Sequence, residues 1–337
     1  MKHWLRTLSL ATTMTVAASS SALAADKDVK EINFGIISTE SSQNLKSVWT
    51  PFLDDMQEEL GVEVNAFFAS DYAGIIQGMR FGKVDVAWYG NKSAMEAVDR
   101  ANGEIFAQTV DNEGNPGYWS LLIARKDNEK LNTMQDVLDN AKDLNFGNGD
   151  PNSTSGYLVP GYYVFALNNV DPKKAFKRTV NASHEVNLLS VANGQLDVAT
   201  NNTENLRRLE ITNPEQHAKL KVLWKSPLIP ADPIVWNKEL PEAMKVKIKN
   251  FFLTYGTEDA AEKAVLAALQ WAPFVESSND QLLPIRQLEL FKSKQELEQN
   301  ASMAAAEKAE KIAAIDKQLT ELGKRQAMIE KQQASVQ

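Results

Sequence analysis

A polar loop rich in hydroxyl groups is the segment of this sequence best suited to hold a charged molecule. Residues 147–156 read Gly-Asn-Gly-Asp-Pro-Asn-Ser-Thr-Ser-Gly, between a predicted strand and a predicted helix. A helix N-terminus presents unpaired N–H groups and a partial positive charge. Ser153, Thr154 and Ser155 add neutral donors there, which predicts an oxyanion site. Ordinary N-capping is the simpler interpretation, but a cap needs only one hydroxyl.

Two tripeptides recur at one fixed spacing. Asn-Phe-Gly stands at residues 33–35 and 145–147, and Asp-Val-Ala stands at residues 85–87 and 197–199. Both repeats are offset by 112 residues, so the chain is predicted to fold into two similarly built α/β lobes. The cleft between two lobes is where a ligand is expected.

The same offset relates Tyr72 to His184, which follow the second predicted strand of their respective lobes. Both side chains are therefore expected to face the cleft, where each can donate a hydrogen bond to an anion. Taken alone, either ring could equally be a packed residue with one satisfied polar atom.

Two acidic residues are predicted beside the same cleft. Glu204 follows the third strand of the second lobe, and Asp232 lies in a Pro-Ala-Asp-Pro segment beside the second crossing between lobes. A helix N-terminal Glu and an Asx-turn Asp are the alternative interpretations. Acids beside an anion site are consistent only if the ligand also carries a cation.

Catalysis and metal binding have little support in the sequence. The chain has no Cys and three His residues, none of them in a paired metal-binding spacing. No Gly-x-Ser-x-Gly elbow and no recognisable nucleophile–base pair occur. We therefore predict a protein that is not an enzyme and has no cofactor and no metal.

Strands alternating with helices position these side chains. The first lobe begins with a strand at residues 31–37, then a helix with Val48, Phe52, Met56 and Leu60 on one face, ended by Gly61. The second lobe repeats this plan, with a helix around residues 157–167 after the hydroxyl loop. This alternation predicts largely parallel sheets whose loops at the strand C-termini bind the ligand.

The chain is predicted to cross between the lobes twice, once through residues 118–124 and once near residues 221–225, which would form a hinge. The predicted organisation is a signal peptide (1–24), lobe one (25–120), lobe two (121–225), the return of lobe one (226–291) and a C-terminal helical extension (292–337).

The extension is charged and lacks Pro. Its apolar residues at spacings of three, four, three and seven fit an a/d seam, interrupted at Gln326: Ile312, Ile315, Leu319, Leu322 and Ile329. Three interpretations stay open, namely a helix packed on its own domain, a helix that forms a homodimer, and a frayed tail.

The N-terminus has the pattern of a secretory signal peptide. Lys2 and Arg6 precede a short apolar stretch, and Ala22-Leu23-Ala24 forms a cleavage signature, so cleavage is predicted after Ala24. No later segment is long and apolar enough to cross a membrane. The net charge of −8 argues against a nucleic-acid partner, which would need a basic face.

Four long strings carry a resemblance to a known family: residues 71–80, 147–156, 199–204 and 226–233. Through them the chain resembles the periplasmic phosphonate-binding proteins of phosphonate ABC importers, over most of residues 32–291. The tail after Phe291 resembles the family only loosely.

The resemblance implies a type II periplasmic-binding fold with its ligand between the lobes and delivery to a membrane permease. The residues that it implies for the phosphonate are Tyr72, Tyr118, Ser153, Thr154, Ser155 and His184. Glu204 and Asp232 would hold the amino group of an aminoalkylphosphonate, most simply 2-aminoethylphosphonate.

Three alternatives remain. A receptor for phosphate, phosphite or sulfate would leave Glu204 and Asp232 unpaired, because those ligands lack a cation. A periplasmic phosphorus-ester hydrolase lacks the expected metal ligands and nucleophile. A sensory subunit that partners a membrane kinase would have a similar docking surface.

Overall fold

The computed structural model describes residues 29–334. The predicted signal peptide and its cleavage site after Ala24 lie outside the described residues. Within them the strands are β1 (Glu31–Ile36), β2 (Glu63–Phe68), β3 (Val86–Trp88), β4 (Gly103–Asp111), β5 (Gly117–Tyr118), β6 (Ser120–Arg125), β7 (Asn145–Asn148), β8 (Arg178–Asn181), β9 (Val198–Asn202), β10 (Leu220–Lys225), β11 (Ile229–Pro230), β12 (Pro233–Asn237) and β13 (Trp271–Glu276).

Helices connect and cover these strands. In the same part of the chain the α-helices are α1 (Ser42–Leu60), α2 (Tyr72–Arg80), α3 (Asn91–Arg100), α4 (Met134–Asn140), α5 (Pro172–Ala175), α6 (His184–Ala192), α7 (Thr203–Thr212), α8 (Pro214–His217), α9 (Glu242–Thr254), α10 (Ala260–Ala268), α11 (Leu283–Gln299) and α12 (Ala305–Ala334).

The strands form two mixed sheets, one in each α/β lobe. The first has the order β13-β4-β12-β3-β1-β2 and the second the order β10-β6-β9-β7-β8. In both, the strand next to one edge (β1 or β7) pairs in parallel with its two neighbours. The remaining pairs are antiparallel. The prediction of largely parallel sheets is thus right for three strands of each lobe and wrong for the others.

The lobe-one core is formed where α1 packs on its sheet. Ser41 caps α1 by accepting the Asn44 N–H at 3.3 Å, and Gly61 ends the helix in the left-handed conformation with φ of 67°. Phe52, Met56 and Leu60 are buried as their spacing predicts, whereas Val48 is only partly buried. The helix face therefore matches the sequence pattern closely.

The repeat in the sequence is a repeat in the structure. Helices α2 and α6 occupy equivalent positions at the offset of 112 residues, and so do α3 and α7. Asp85 accepts the Asn33 N–H at 2.8 Å, and Asp197 accepts the Asn145 N–H at 2.7 Å. The prediction of two similarly built lobes is confirmed.

The hinge differs from its predicted position. Residues 120–125 and 220–225 are not crossings but β6 and β10 of the second sheet, which pair with each other. The chain crosses between the lobes at β5 and β11, a short antiparallel pair in which Ile229 is opposite Tyr118. The predicted lobe boundaries at residues 120, 225 and 291 stay predictions.

The segment after the hydroxyl loop also departs from its prediction. It is not a regular α-helix but contains two π-helical turns, Thr154–Leu158 and Gly161–Phe165. Pro160 lies between them and has no N–H to donate to the Gly156 carbonyl. That carbonyl instead accepts the Gly149 N–H at 2.9 Å and the Thr200 hydroxyl at 2.7 Å. The loop is thereby closed on itself and attached to β9.

The C-terminal extension is a helical hairpin. Helix α12 returns along α11, joined to it by the Lys294–Asp316 ion pair at 2.6 Å and by Lys308, which donates to the Glu298 carbonyl at 3.1 Å. The predicted seam residues, with Gln326, are partly buried, while most of the other α12 side chains described are exposed. Phe291 lies inside α11, so the helix continues through the predicted boundary.

The paired aspartates lead to a prediction about stability. Asp85→Ala and Asp197→Ala each leave a strand N–H without its acceptor, which costs about 1–3 kcal/mol. We expect both variants to lower the free energy of unfolding measured in urea, by similar amounts. Asp54→Ala, at an exposed position of α1, is the control and should remain within about 0.5 kcal/mol of the parent. Two variants as stable as the control would contradict this role.

Candidate ligand-binding site between the lobes

One cavity between the lobes gathers the residues that the sequence predicts to bind the ligand. Its volume is about 50 Å³. Its lining includes all eight predicted site residues: Tyr72, Tyr118, Ser153, Thr154, Ser155, His184, Glu204 and Asp232. Side chains from both lobes and from the hinge strand β5 thus converge on one space.

The hydroxyl loop forms the polar pole of this cavity. Ser153 accepts the Gly156 N–H at 2.9 Å and serves as the cap that the sequence led us to expect. Thr154 Oγ1 accepts the Lys92 N–H from α3 of the other lobe at 2.8 Å, and Ser155 Oγ accepts from Asn202 Nδ2 at 3.1 Å. All three hydroxyl residues are buried. All three hydroxyls accept in these contacts, so their hydrogens can turn toward a further acceptor, which is an anion or, for Ser153, His184 Nε2 at 3.3 Å.

Tyr72 and His184 occupy equivalent places at this pole, as the first residues of α2 and α6. His184 Nε2 lies 3.3 Å from Ser153 Oγ. Burial raises the pKa of Tyr72 well above its usual range and lowers the pKa of His184 to about 4. Both groups are therefore neutral near pH 7. The pole attracts an anion through neutral donors and helix ends rather than through a cation.

Two carboxylates form the opposite pole. Asp232 is buried and its Oδ1 accepts the Tyr118 hydroxyl at 2.9 Å. Glu204 lies in the first turn of α7 and is partly buried. Burial raises the pKa of both carboxyl groups, that of Glu204 to about 7, and the charge of Glu204 raises the pKa of Asp232 further. An ionised pair here is unfavourable until a cation joins it.

Gly90 separates the two poles, and sequence reasoning missed it. A methyl group at this position would lie 3.3 Å from Thr154 Oγ1 and 3.9 Å from Asp232 Oδ1. The two oxygens are therefore no farther apart than the sum of these distances. A ligand that bridges them must be small. The available signal was the repeat, which makes Gly90 the equivalent of Asn202 at the start of the following helix.

The lobes are closed on each other. Arg208 of α7 pairs with Glu40 of lobe one at 2.9 Å, and Arg207 pairs with Asp111 at 3.3 Å. Beside the Arg208–Glu40 pair, Glu185 of α6 accepts the Ser41 N–H at 2.7 Å. These contacts join the lobes at the cavity mouth, where the charges of Arg207 and Arg208 also lower the pKa of Glu204 against the effect of burial. Nothing in the local sequence marks them, because each joins segments distant along the chain.

The comparisons with known proteins agree with this geometry. The family model described as "ABC transporter, phosphonate, periplasmic substrate-binding protein" matches residues 34–282. The chain belongs to this family. The phosphonates-binding periplasmic protein of Escherichia coli K12 is 63% identical over 298 residues, 88% of this chain and 87% of that protein.

A solved structure supports the family assignment. The binding-protein component of a phosphonate ABC transporter from Pseudomonas aeruginosa is 65% identical and superposes with a TM-score of 0.88, covering 90% of this chain and all of that one. A more distant structure shares the fold. PhnD1 of Prochlorococcus marinus, solved with methylphosphonate, is 23% identical and superposes with a TM-score of 0.69, covering 77% of this chain and 97% of that one. The predicted type II two-lobed fold is confirmed.

Family membership answers the question of class. The protein is a phosphonate-binding periplasmic component of an ABC transporter and not an enzyme. Among residues 29–334, no helix has both the length and the apolar character needed to cross a membrane. In the same residues no three His, Cys, Asp or Glu side chains are grouped so as to hold a metal ion.

Gly90 provides a direct test of the cavity. Its φ of −75° and ψ of 161° are allowed for alanine, so Gly90→Ala should fold normally. The added methyl would occupy the space between the poles, and we expect phosphonate affinity to fall about tenfold by calorimetry. Gly323→Ala, where nothing lies within 4 Å of the new methyl, is the matched control. Unchanged affinity in Gly90→Ala would mean that the ligand binds elsewhere.

Proposed function

We propose that this protein captures 2-aminoethylphosphonate in the interlobe cavity and delivers it to the membrane permease of an ABC importer. The observation that carries the proposal is the pair of carboxylates opposite the neutral hydroxyl loop. A zwitterion places its phosphonate at Ser153, Thr154, Ser155, Tyr72 and His184, and its ammonium at Glu204 and Asp232. Tyr118 orients Asp232 from the hinge strand.

The electrostatics of the cavity support a zwitterion over a simple oxyanion. An anion alone would bring negative charge near two carboxylates that already disfavour ionisation. An ammonium group supplies charge-assisted hydrogen bonds to both, which contribute about 1.5–3 kcal/mol each. Relatives named for phosphate import and phosphite binding, at 29% and 24% identity, make those anions the natural competitors in the assay.

Delivery of the ligand to the permease requires export of the chain and closure of its two lobes. The signal peptide with cleavage after Ala24 would place the mature chain in the periplasm. A ligand that contacts both lobes favours the closed form by its differential affinity for that form. The permease would then recognise the closed arrangement of the two lobes.

The charge of the amine pole can be tested with two ligands. We expect Glu204→Gln and Asp232→Asn to weaken 2-aminoethylphosphonate by about 10- to 100-fold each. Methylphosphonate has no ammonium group and should lose little or even bind better, because a repulsive carboxylate is gone. Calorimetric titration of both ligands provides the measurement. Equal losses for the two ligands would overturn the assignment of this pole.

The pH dependence has a definite sign. Burial raises the pKa of Glu204 to about 7 in the absence of a ligand, and an ammonium group would lower it. Proton release is then needed for binding below that pKa. The affinity for 2-aminoethylphosphonate should therefore rise more steeply from pH 5 to pH 8 in the parent than in Glu204→Gln, because the same phosphonate titrates in both experiments and only the parent has the carboxyl group at residue 204. Equal pH dependences would exclude a titrating Glu204 from the site.

Self-association through the C-terminal helix stays a prediction. The seam around Ile312 and Leu319 is partly buried along α11 of the same chain, which leaves less apolar surface for a second copy. We expect a chain that ends at Asn300 to lose any dimer seen by light scattering for the full-length protein. A full-length protein that is monomeric at micromolar concentration would remove the homodimer.

A further inference from the structure

Gln270 has a backbone conformation that is unfavourable for glutamine. It lies between the end of α10 and the start of β13 and has a φ of 68°. A left-handed residue just after a helix is usually glycine, as Gly61 is after α1. The other non-glycine residues with positive φ in the described part of the chain are Asn102 and Asn169, and asparagine accepts this conformation more readily. Contacts of the glutamine side chain must therefore offset the cost of its backbone.

The side chain of Gln270 joins lobe one to α7 of lobe two. It is buried and lines the cavity. Its Oε1 atom accepts the Arg207 Nε–H at 2.5 Å, and its Nε2 atom donates to the Glu204 carbonyl at 3.4 Å. Both ends of the amide group thus contact the same helix of the opposite lobe.

Lobe one surrounds the Arg207 guanidinium with acceptors. Strand β13, which begins after Gln270, pairs with β4, which ends at Asp111. The two Nη atoms of Arg207 contact the Asp111 carboxylate at 3.3 and 3.4 Å, and one of them pairs with Glu113 at 2.7 Å. The carboxylates therefore bind the Nη atoms, while Gln270 binds the Nε atom. The Arg207 side chain is only 18% exposed, so water cannot easily replace any of these acceptors.

Glu204 is the carboxylate that would compete for Arg207. The two residues are three apart on α7, a spacing at which opposite charges pair along a helix. Among residues 29–334, however, no hydrogen bond or ion pair engages the Glu204 carboxylate. Arg207 is directed toward lobe one instead. The Glu204 carboxylate is thereby left to a ligand in the cavity that it lines.

We propose that Gln270 is a positioning residue of the amine pole, which holds Arg207 on lobe one and so leaves the Glu204 carboxylate to the ammonium group of the ligand. Loss of the amide would leave the Arg207 Nε–H without its acceptor in a mostly buried place. Arg207 would then turn to Glu204, and this internal ion pair would replace the one that the ligand forms. The proposal rests on the proposed function, since it concerns the same amine pole.

Two variants of Gln270 test this role by calorimetry with 2-aminoethylphosphonate and methylphosphonate. Gln270→Gly suits the left-handed backbone, whereas Gln270→Met keeps the side-chain length and the strain, so the glycine variant should be the more stable of the two in urea. Both variants lose the two hydrogen bonds. We therefore expect both to lower the ratio of 2-aminoethylphosphonate affinity to methylphosphonate affinity by about 5- to 20-fold.

Asn102→Gly is the matched control for the backbone. Asn102 has a φ of 56°, is exposed on lobe one and does not line the cavity. This variant should leave the ratio of the two affinities within about twofold of the parent. Equal losses for both ligands in the Gln270 variants would reduce Gln270 to a closure contact and overturn the proposal, and so would an unchanged ratio. A parent that binds 2-aminoethylphosphonate no better than methylphosphonate would instead overturn the proposed function.

Arg207→Met shows whether Gln270 acts through Arg207. Without the guanidinium, Glu204 has no internal partner to take the place of the ligand. Adding Gln270→Met to Arg207→Met should therefore change the affinity ratio by less than about twofold. A further fall as large as the one that Gln270→Met causes in the parent would show that Gln270 does not act by holding Arg207, and it would contradict the proposal.

Discussion

The burial of two carboxylates in one cleft is the constraint on which the rest of the structure depends. Loss of water disfavours ionisation of both Glu204 and Asp232, and the charge of Glu204 disfavours that of Asp232 further. A protein tolerates such a pair only when something supplies positive charge or donors. Tyr118 supplies one donor to Asp232 from the hinge strand. Arg207 and Arg208 lower the pKa of Glu204 in part, but it remains raised to about 7. A ligand cation can supply the rest, so the cost of burying the two carboxylates is also the source of selectivity.

The two lobes share one backbone plan but carry different residues at equivalent positions beside the cleft. Both lobes place a helix start after their third strand, at α3 and α7. In lobe two the second residue of that helix is Glu204, which faces the cavity. Its equivalent in lobe one is Lys92, which is buried and pairs with Glu289 of α11 at 3.1 Å. Lys92 contributes its N–H, not its charge, to the cleft by donating to Thr154. The same backbone arrangement therefore places a negative charge in the cleft from lobe two and no side-chain charge at the equivalent position of lobe one.

Much of this arrangement follows from local sequence. The repeat predicts the two lobes, and position after a strand predicts the cleft residues, because loops at strand ends converge in such sheets. The predictions of a regular helix after the hydroxyl loop and of largely parallel sheets were wrong for the same reason, namely that partners distant along the chain decide both. The π-helical turns around Pro160 depend on where the Gly156 carbonyl finds its donors, and the mixed sheets depend on which strands return from the other lobe. Gly90 was missed because its neighbours, Thr154 and Asp232, come from segments far along the chain.

Closure of the cleft reflects a balance between opposing interactions. The Arg208–Glu40 and Arg207–Asp111 pairs join the lobes and are mostly withdrawn from water, so each requires good geometry to be favourable at all. Desolvation of Glu204 and Asp232 acts against closure. A ligand with both charges offsets the desolvation of the two carboxylates and leaves the ion pairs between the lobes unchanged. A free-energy difference of about 1.4 kcal/mol already changes the closed-to-open ratio tenfold. A ligand that carries only a negative charge leaves the desolvation cost of Glu204 and Asp232 in place. Selectivity and closure are therefore governed by the same two carboxylates, and a ligand is recognised by how completely it removes the cost of burying them.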